Sequence, residues 1–275
     1  MPAEPLVRFS VAGQTAGWVT RTRIDRLAQF PRLFVIDADG LRFAPAFNDV
    51  ATRTDAMAEV ADALASAGQL TAWRDERYAV RPDFDAPPWF YLERACARWF
   101  GIKTWAVHVN GIVHDEGAPQ LWFARRSPQK SIDPDCFDTL VGGGIAECDQ
   151  VAETMAREAW EEAGIPAALA HAAILASRVQ VKHYAPDGLQ REVIHVYDLA
   201  LGRDFVPDNQ DGEAVEHRRL SLDDAAALIA ATGRRDTTTL DACMVTLDYL
   251  LRQRDWAMDG MTREELSMLC RRPID

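Results

Sequence analysis

The sequence has no apolar run long enough to cross a bilayer, and its opening, Met1 to Gln14, lacks the apolar core of a secretory leader. Cysteine is sparse. Cys96, Cys136, Cys148, Cys243 and Cys270 are odd in number, widely spread and contain no Cys-x-x-Cys pair. That pattern excludes a disulfide framework or a clustered zinc site and points to reduced thiols in a cytoplasmic protein. Positive charge is also short: 30 Lys and Arg stand against 42 Asp and Glu, a formal net charge of -12. Such a surface repels nucleic-acid phosphates and anionic lipid, so neither nucleic acid nor membrane is an expected partner. An anionic small molecule would meet the same repulsion, so a site for one must bring bound cations or local Arg and Lys. Internal repeats and low-complexity segments are absent.

What is present is 275 residues, 48% of them apolar, enough for a catalytic domain and a smaller accessory unit. We divide the chain into an N-terminal accessory α+β domain over 1–102, a main α/β domain over 103–255 and a helical tail over 256–275. In the first part, residues 1–22 read as irregular and Ile24 to Phe30 as a short helix. Leu33 to Ile36 and Leu41 to Ala44 form a hairpin around Asp37-Ala38-Asp39-Gly40. Asp55 to Ala67 has helical apolar spacing, Leu70 to Val80 looks extended, and Trp89 to Phe100 reads as a helix stopped by Gly101. From Thr104 the pattern alternates. Strands are expected over Trp105 to Val113, Gln120 to Arg125, Ile174 to Val181, Glu192 to Leu199 and Val215 to Leu220. Helices are expected over Gln150 to Ala163, Leu222 to Ala231, Thr239 to Arg252 and Arg263 to Cys270.

The segment that carries chemistry runs from Gly142-Gly143-Gly144 to Gly164-Ile165. Glu158, Glu161 and Glu162 are three and four residues apart, so a helix projects them from one face. Three carboxylates repel one another, and a hard divalent cation removes that repulsion. Ala152, Ala156, Ala159 and Ala163 form a small-residue stripe that lets the helix sit close to a sheet. Arg157 is spaced to pair with Glu161 and orient it. The glycines permit a tight turn and close approach of backbone to a ligand. A solvated acidic helix is the ordinary reading of adjacent glutamates. The joint pattern of glycines, Arg-Glu, Glu-Glu and closing Gly-Ile favours a cradle for metal and diphosphate.

This segment resembles the Nudix box, G-x5-E-x7-R-E-U-x-E-E-x-G-U, where U is apolar. Gly143, Arg157-Glu158, Glu161-Glu162 and Gly164-Ile165 match, and Ala159 fills the first U. Asp149 stands where the motif has its early glutamate. The resemblance implies a Nudix α/β/α sandwich around a mixed sheet, preceded here by the α+β domain. It implies a hydrolase that uses Mg2+, with Mn2+ as the alternative ion. The glutamates matching Glu158 and Glu162 would bind the metal with Glu161 close by. A later acidic loop often supplies a further ligand or base, for which Glu213 and Glu216 are the candidates, each equally readable as part of a solvated turn. Arg126 and Lys130, after the second strand, are spaced as in isopentenyl diphosphate isomerases of the same fold and would deliver charge to a diphosphate.

By motif order the similarity extends from about residue 20 to about residue 252. It is to the Nudix proteins related to the C-terminal part of fungal thiamine pyrophosphokinase, which carry an extra N-terminal domain. Members are associated with hydrolysis of thiamine diphosphate analogues, notably oxidised or oxo forms. The implied partner is therefore a small organic diphosphate, and family habit leans toward a homodimer. The alternatives are a Nudix hydrolase of nucleoside diphosphate derivatives, an isomerase using Cys136 or Cys148, and a non-enzymatic sensor. Trp73, Tyr78, Trp89 and Phe90 are candidates to stack on the organic group, although core packing suits any single ring equally.

Overall fold

The computed structural model describes residues 4–114, 117–147, 149–231, 236–253 and 263–274. Two regions of buried side chains divide the chain. One cluster draws only on residues between Phe9 and Ile102, while those from Trp105 onward form the others.

The chain begins with strands rather than irregular structure. β1 (Leu6–Val11) and β2 (Gln14–Thr20) pair antiparallel. Their two-residue loop, Ala12-Gly13, has φ of 49° and 77°, the doubly left-handed backbone of a tight hairpin turn. Ala-Gly is a weak turn signal beside Asn-Gly, which is why the sequence hid it. α1 (Arg21–Leu27) follows, then the expected hairpin, β3 (Phe34–Asp37) with β4 (Gly40–Phe43). These strands make a sheet in the order β2-β1-β4-β3. α2 (Val50–Ser66) starts at Asp49, whose side chain accepts from the Thr52 amide at 2.9 Å. Of the extended segment expected over 70–80, only β5 (Arg77–Val80) is strand. It pairs with β6 (Phe90–Glu93), where a helix was expected. Phe90 and Leu92 alternate into the core while Cys96 and Phe100 follow at fourfold spacing, so one run holds both periods, and pairing with β5 decides the first half. A 3-10 turn (Arg94–Cys96) and α3 (Ala97–Phe100) complete it, and α3 ends at Gly101 in the left-handed region (φ 54°). Phe9 lies at the centre of this unit, within 5.5–6.3 Å of Phe34, Phe43, Phe90 and Phe100. Such ring pairs contribute about 0.5–1.5 kcal/mol each beyond their buried area.

The main domain is built on β7 (Lys103–Val113). Around it are β8 (Gln120–Arg126), β9 (Phe137–Thr139), β10 (Val141–Gly144), β11 (Ile174–Ala185), β12 (Gly188–Leu201) and β13 (Ala214–Ser221). The sheet runs β11-β12-β7-β8-β13, with β10 on β7 and β9 on β8. β7 and β12 are parallel and the other pairs antiparallel, so the sheet is mixed. Side chains of β7 alternate between its two faces. Trp105, Val107 and Val109 pack with Ala159 and Ala163 of α4 (Val151–Ala163), while Ala106 packs with Val245 and Leu251 of α7 (Leu240–Arg252). The short α5 (Ala167–Ala170), α6 (Leu222–Ile229) and α8 (Arg263–Cys270) complete the α/β/α layering. On α4 the stripe buried beside Ala159 and Ala163 is Met155 rather than Ala152, which is exposed. The start of the expected tail at 256 lies outside the described residues; α8 is its described part. No helix among the described residues is long and apolar enough to cross a membrane.

The two units meet without a linker. Arg23 donates to the Asp187 carbonyl at 2.8 Å, Arg98 to the Gln190 side chain at 3.0 Å, and Arg191 back to the Gly101 carbonyl at 3.0 Å. Gly188, at the tip of the β11–β12 hairpin, has φ 144°, and a Cβ there would lie 1.9 Å from the Arg98 carbonyl oxygen. Gly188→Ala is therefore expected to lose about 1–3 kcal/mol of stability. Urea unfolding checks this, and a midpoint equal to the parent's would mean the hairpin tip does not touch the N-terminal unit.

Candidate active site

α4 places its carboxylates on a helix whose C-terminal end is fixed. Gly164 closes it with φ 64° and bonds back to Trp160, as the Gly-Ile ending of the motif requires. Asn209 and Gln210 donate to the Glu161 carbonyl at 3.4 and 2.7 Å and hold the following loop against the helix end.

The glycines before α4 do not form a turn. β10 is extended, and its three glycines make room for neighbouring side chains. A Cβ on Gly143 would lie 2.3 Å from the Glu158 carboxyl carbon, one on Gly142 2.8 Å from the His108 ring, and one on Gly144 2.2 Å from the Tyr78 hydroxyl. The residue type is required by crowding on both faces of a strand rather than by backbone freedom.

Glu158 lies under Gly143 with Arg157 2.9 Å away. Burial pushes its carboxyl up to about 7; Arg157 opposes the shift and Glu161 adds to it. Glu162 accepts from the Gly142 amide at 2.7 Å, and burial, followed by the nearby Glu158, raises it well above the usual carboxylate range. Glu161 pairs with Arg157 at 3.1 Å. Arg157 also reaches Asp149 at 3.5 Å, so the shorter carboxylate at the motif's early-glutamate position still engages the motif arginine. One guanidinium thus serves three carboxylates.

Arg157, Glu158 and Glu161 line a cleft of about 300 Å³ together with Arg126, Lys130 and Glu213, while Glu162 and Asp149 lie outside its lining. Arg126 donates to Asp138 at 3.1 Å and to the carbonyls of Asp133 and Ile132, leaving part of its five-donor fork for a ligand. Lys130 is ion-paired with Glu213, and Arg74 of the N-terminal unit stands 4.0 Å from the same carboxylate. Burial works to raise Glu213, yet the Lys130 pair holds it below the usual range. Glu216, the other candidate from that loop, is placed elsewhere. It pairs with Arg125 at 2.7 Å and Arg218 at 2.5 Å beside Asp236 and does not line the cleft. One bulged residue in the β13–β8 register separates the two fates, since Ala214 faces Arg126 and Glu216 faces Arg125.

The structure adds groups that the motif did not suggest: Tyr78 and Arg94 from the N-terminal unit, and His108, Asp138, Glu192 and Asp241. Burial lowers the pKa of His108, whose Nδ1 lies 2.8 Å from the Thr139 hydroxyl. Of the four aromatics expected to stack on a ligand, only Tyr78 lines the cleft. Trp73 bonds to Asp75, Phe90 is in the core and Trp89 packs against it. Cys136 contacts Thr237, and Cys148 lies outside the described residues.

The donor set suits a hard divalent cation: all oxygen, partly buried, and short of positive charge. Among the described residues no three His, Cys, Asp or Glu side chains converge as a ready-made cage. Arg157 is instead the positive charge among Asp149, Glu158 and Glu161, and a bound ion would take up what one guanidinium cannot neutralise.

The mixed sheet between helices and the carboxylate-bearing α4 are those of a hydrolase with α/β/α layering. The NUDIX domain family matches residues 104–240, and a domain of unknown function, DUF4743, matches residues 2–104. The chain is 35% identical over 249 residues to "Nudix hydrolase 24, chloroplastic" of Arabidopsis thaliana and 32% identical over 255 residues to "Nudix hydrolase 20, chloroplastic" of the same plant. Each alignment covers 90% of this chain and 67% of the relative. A crystal structure from Deinococcus radiodurans, 22% identical, covers 62% of this chain and 97% of its own with a TM-score of 0.45. The chain belongs to the Nudix hydrolase family.

Asp241 yields a pH prediction. Burial, with Glu192 and Asp138 nearby, raises its carboxyl to about 8 from 3.8. A raised carboxyl favours the folded state while protonated, so that contribution is full below about pH 4 and is lost as pH climbs through about 8. Asp241→Asn, which mimics the protonated form, should match the parent in urea at pH 4 and exceed it at pH 9. Parallel stability curves across that window would mean Asp241 ionises freely in the folded chain.

Proposed function

We propose that this chain hydrolyses the diphosphate of a small organic molecule to a monophosphate and phosphate, using Mg2+ or Mn2+. The observation that carries the reading is the cleft itself. Glu158 and Glu161 of α4 share it with Arg126, Lys130 and a strand of three glycines. Glu158, Glu161 and Glu162 would hold the metal, which supplies charge neutralisation at the phosphoryl oxygens and lowers the pKa of bound water. Arg126 and Lys130 bind the diphosphate oxygens, answering the net charge of -12. Glu213, kept ionised by Lys130, accepts the proton of the attacking water at a carboxylate oxygen. The water oxygen bonds to phosphorus as the bridging P–O bond breaks. Arg157 orients Glu158 and Glu161.

The finer reading is thiamine diphosphate or its oxidised analogues, supported by the order of motifs across both parts of the chain. A nucleoside diphosphate derivative is the second reading, favoured by the polar character of the cleft wall. The isomerase alternative lacks support from Cys136, which is engaged by Thr237. A homodimer in a reducing compartment completes the proposal, and Cys96, Cys136, Cys243 and Cys270 are free thiols.

A magnesium-dependent hydrolysis screen over thiamine, oxothiamine, oxythiamine and nucleoside diphosphates tests the activity. Glu162→Gln should leave the circular dichroism spectrum unchanged and lower turnover about a hundredfold or more. Undiminished turnover would remove Glu162 from the metal site. Arg126→Ala should weaken a diphosphate more than its monophosphate in titration calorimetry, and equal affinities before and after substitution would remove Arg126 from the diphosphate site.

A further inference from the structure

The cleft continues beyond the groups assigned to diphosphate and metal, and its inner end is a different chemical surface. Gln190, Glu192 and Thr104 lie there on β12 and β7, Asp241 begins α7, and Tyr78 and Arg98 come from the N-terminal unit. The hydrogen bonds at this end can be counted. Gln190 Nε2 lies 3.0 Å from both oxygens of Asp241 and 3.1 Å from Glu192 Oε2. Thr104 donates to Glu192 Oε1 at 2.8 Å. Arg98 is spent on the Gln190 carbonyl oxygen at 3.0 Å. Glu192 thus receives two donor hydrogens, one from Thr104 and one from Gln190, where an ionised carboxylate has about four acceptor positions. Under-served acceptors of this kind are satisfied by water or by a ligand.

A second observation is independent of those acids. Tyr78 is 8% exposed, and its hydroxyl has no hydrogen-bond partner among the described residues. It lies over Gly144, where no side chain can cover it. The ring is held from behind by the Arg94 guanidinium, 5.7 Å from its centroid, which is itself fixed by Glu76 at 2.6 Å. The hydroxyl is the part of the side chain that lines the cleft, and it is open there to a ligand.

We propose that this inner end is the subsite for the organic group of the substrate. It selects a polar nitrogen group with N–H donors, an amino-heterocycle above all, received jointly by Glu192, Asp241 and the Tyr78 hydroxyl. The assignment rests on the diphosphate-hydrolase reading and gives the N-terminal unit a direct contact with substrate. A prenyl or other apolar group would leave Glu192 and the phenol without a ligand partner and is rejected. Discrimination of this kind is large, because each missing donor strands a buried acceptor.

The test uses the full chain with calcium in place of magnesium, so that binding is read by titration calorimetry without turnover. The probes are thiamine diphosphate, whose aminopyrimidine offers N–H donors, and isopentenyl diphosphate, which offers none. The parent should bind the first at least about a hundredfold more tightly. Tyr78→Phe, which keeps the ring and its packing, and Glu192→Gln should each weaken it about tenfold and leave isopentenyl diphosphate within about twofold. Equal binding of the two probes by the parent would overturn the proposal. So would variants that weaken both alike or neither, or a calcium affinity, measured without substrate, that falls in Glu192→Gln, since the acids would then serve a cation. Magnesium-supported turnover separates this proposal from the one beneath it. Cleavage without preference between the probes overturns the subsite alone; selective binding without cleavage of any diphosphate leaves the subsite standing and overturns the hydrolase.

Discussion

The arrangement depends on a shortage of positive charge in a buried place. Glu158 and Glu162 are carried against β10 by a helix that packs on the sheet through Ala159 and Ala163. Withdrawing carboxylates from water is costly unless they are paired or protonated. The protein partly meets that cost with Arg157 and the Gly142 amide and leaves the rest to be met by a ligand. The glycines of β10 follow from the same constraint. A strand passing this close to Glu158, His108 and Tyr78 has no space for a Cβ.

The N-terminal unit shares that constraint. Its strand β5 lies against the segment that leads into α4. The Arg77 carbonyl accepts from the Glu147 amide at 2.9 Å, and the Arg77 guanidinium pairs with the Glu147 carboxylate at 2.8 Å. Tyr78, the next residue, faces Gly144. Arg74 reaches Glu213 on the far wall. The cleft is thus walled by both parts of the chain, and Arg94 is close enough to Glu158 to lower its pKa through space.

The main domain was readable because its sequence is locally consistent. β7, α4 and α7 each show one clean period with recognisable ends, and Glu158, Glu161 and Glu162 share a face by spacing alone. The N-terminal unit was harder. β1 and β2 turn at Ala-Gly, and the run from Phe90 to Phe100 carries two periods that only pairing with β5 resolves. At the site, chemistry within one helix was legible and chemistry assembled across the chain was not. Tyr78, Glu192 and Asp241 are more than 100 residues apart at their extremes, with no shared pattern. Glu213 and Glu216 were indistinguishable in sequence because a single bulge in β13 decides which one meets Lys130.

The contact between Tyr78 and Gly144 also bears on how such chains can change over generations. A phenol and an absent side chain occupy one volume, so neither position drifts alone. A larger residue at 144 becomes tolerable only after the tyrosine has shrunk or the N-terminal unit has been lost. A Nudix domain freed of that unit is released from this one clash at position 144, while one that keeps it inherits the glycine as a hereditary lock between two otherwise separate modules.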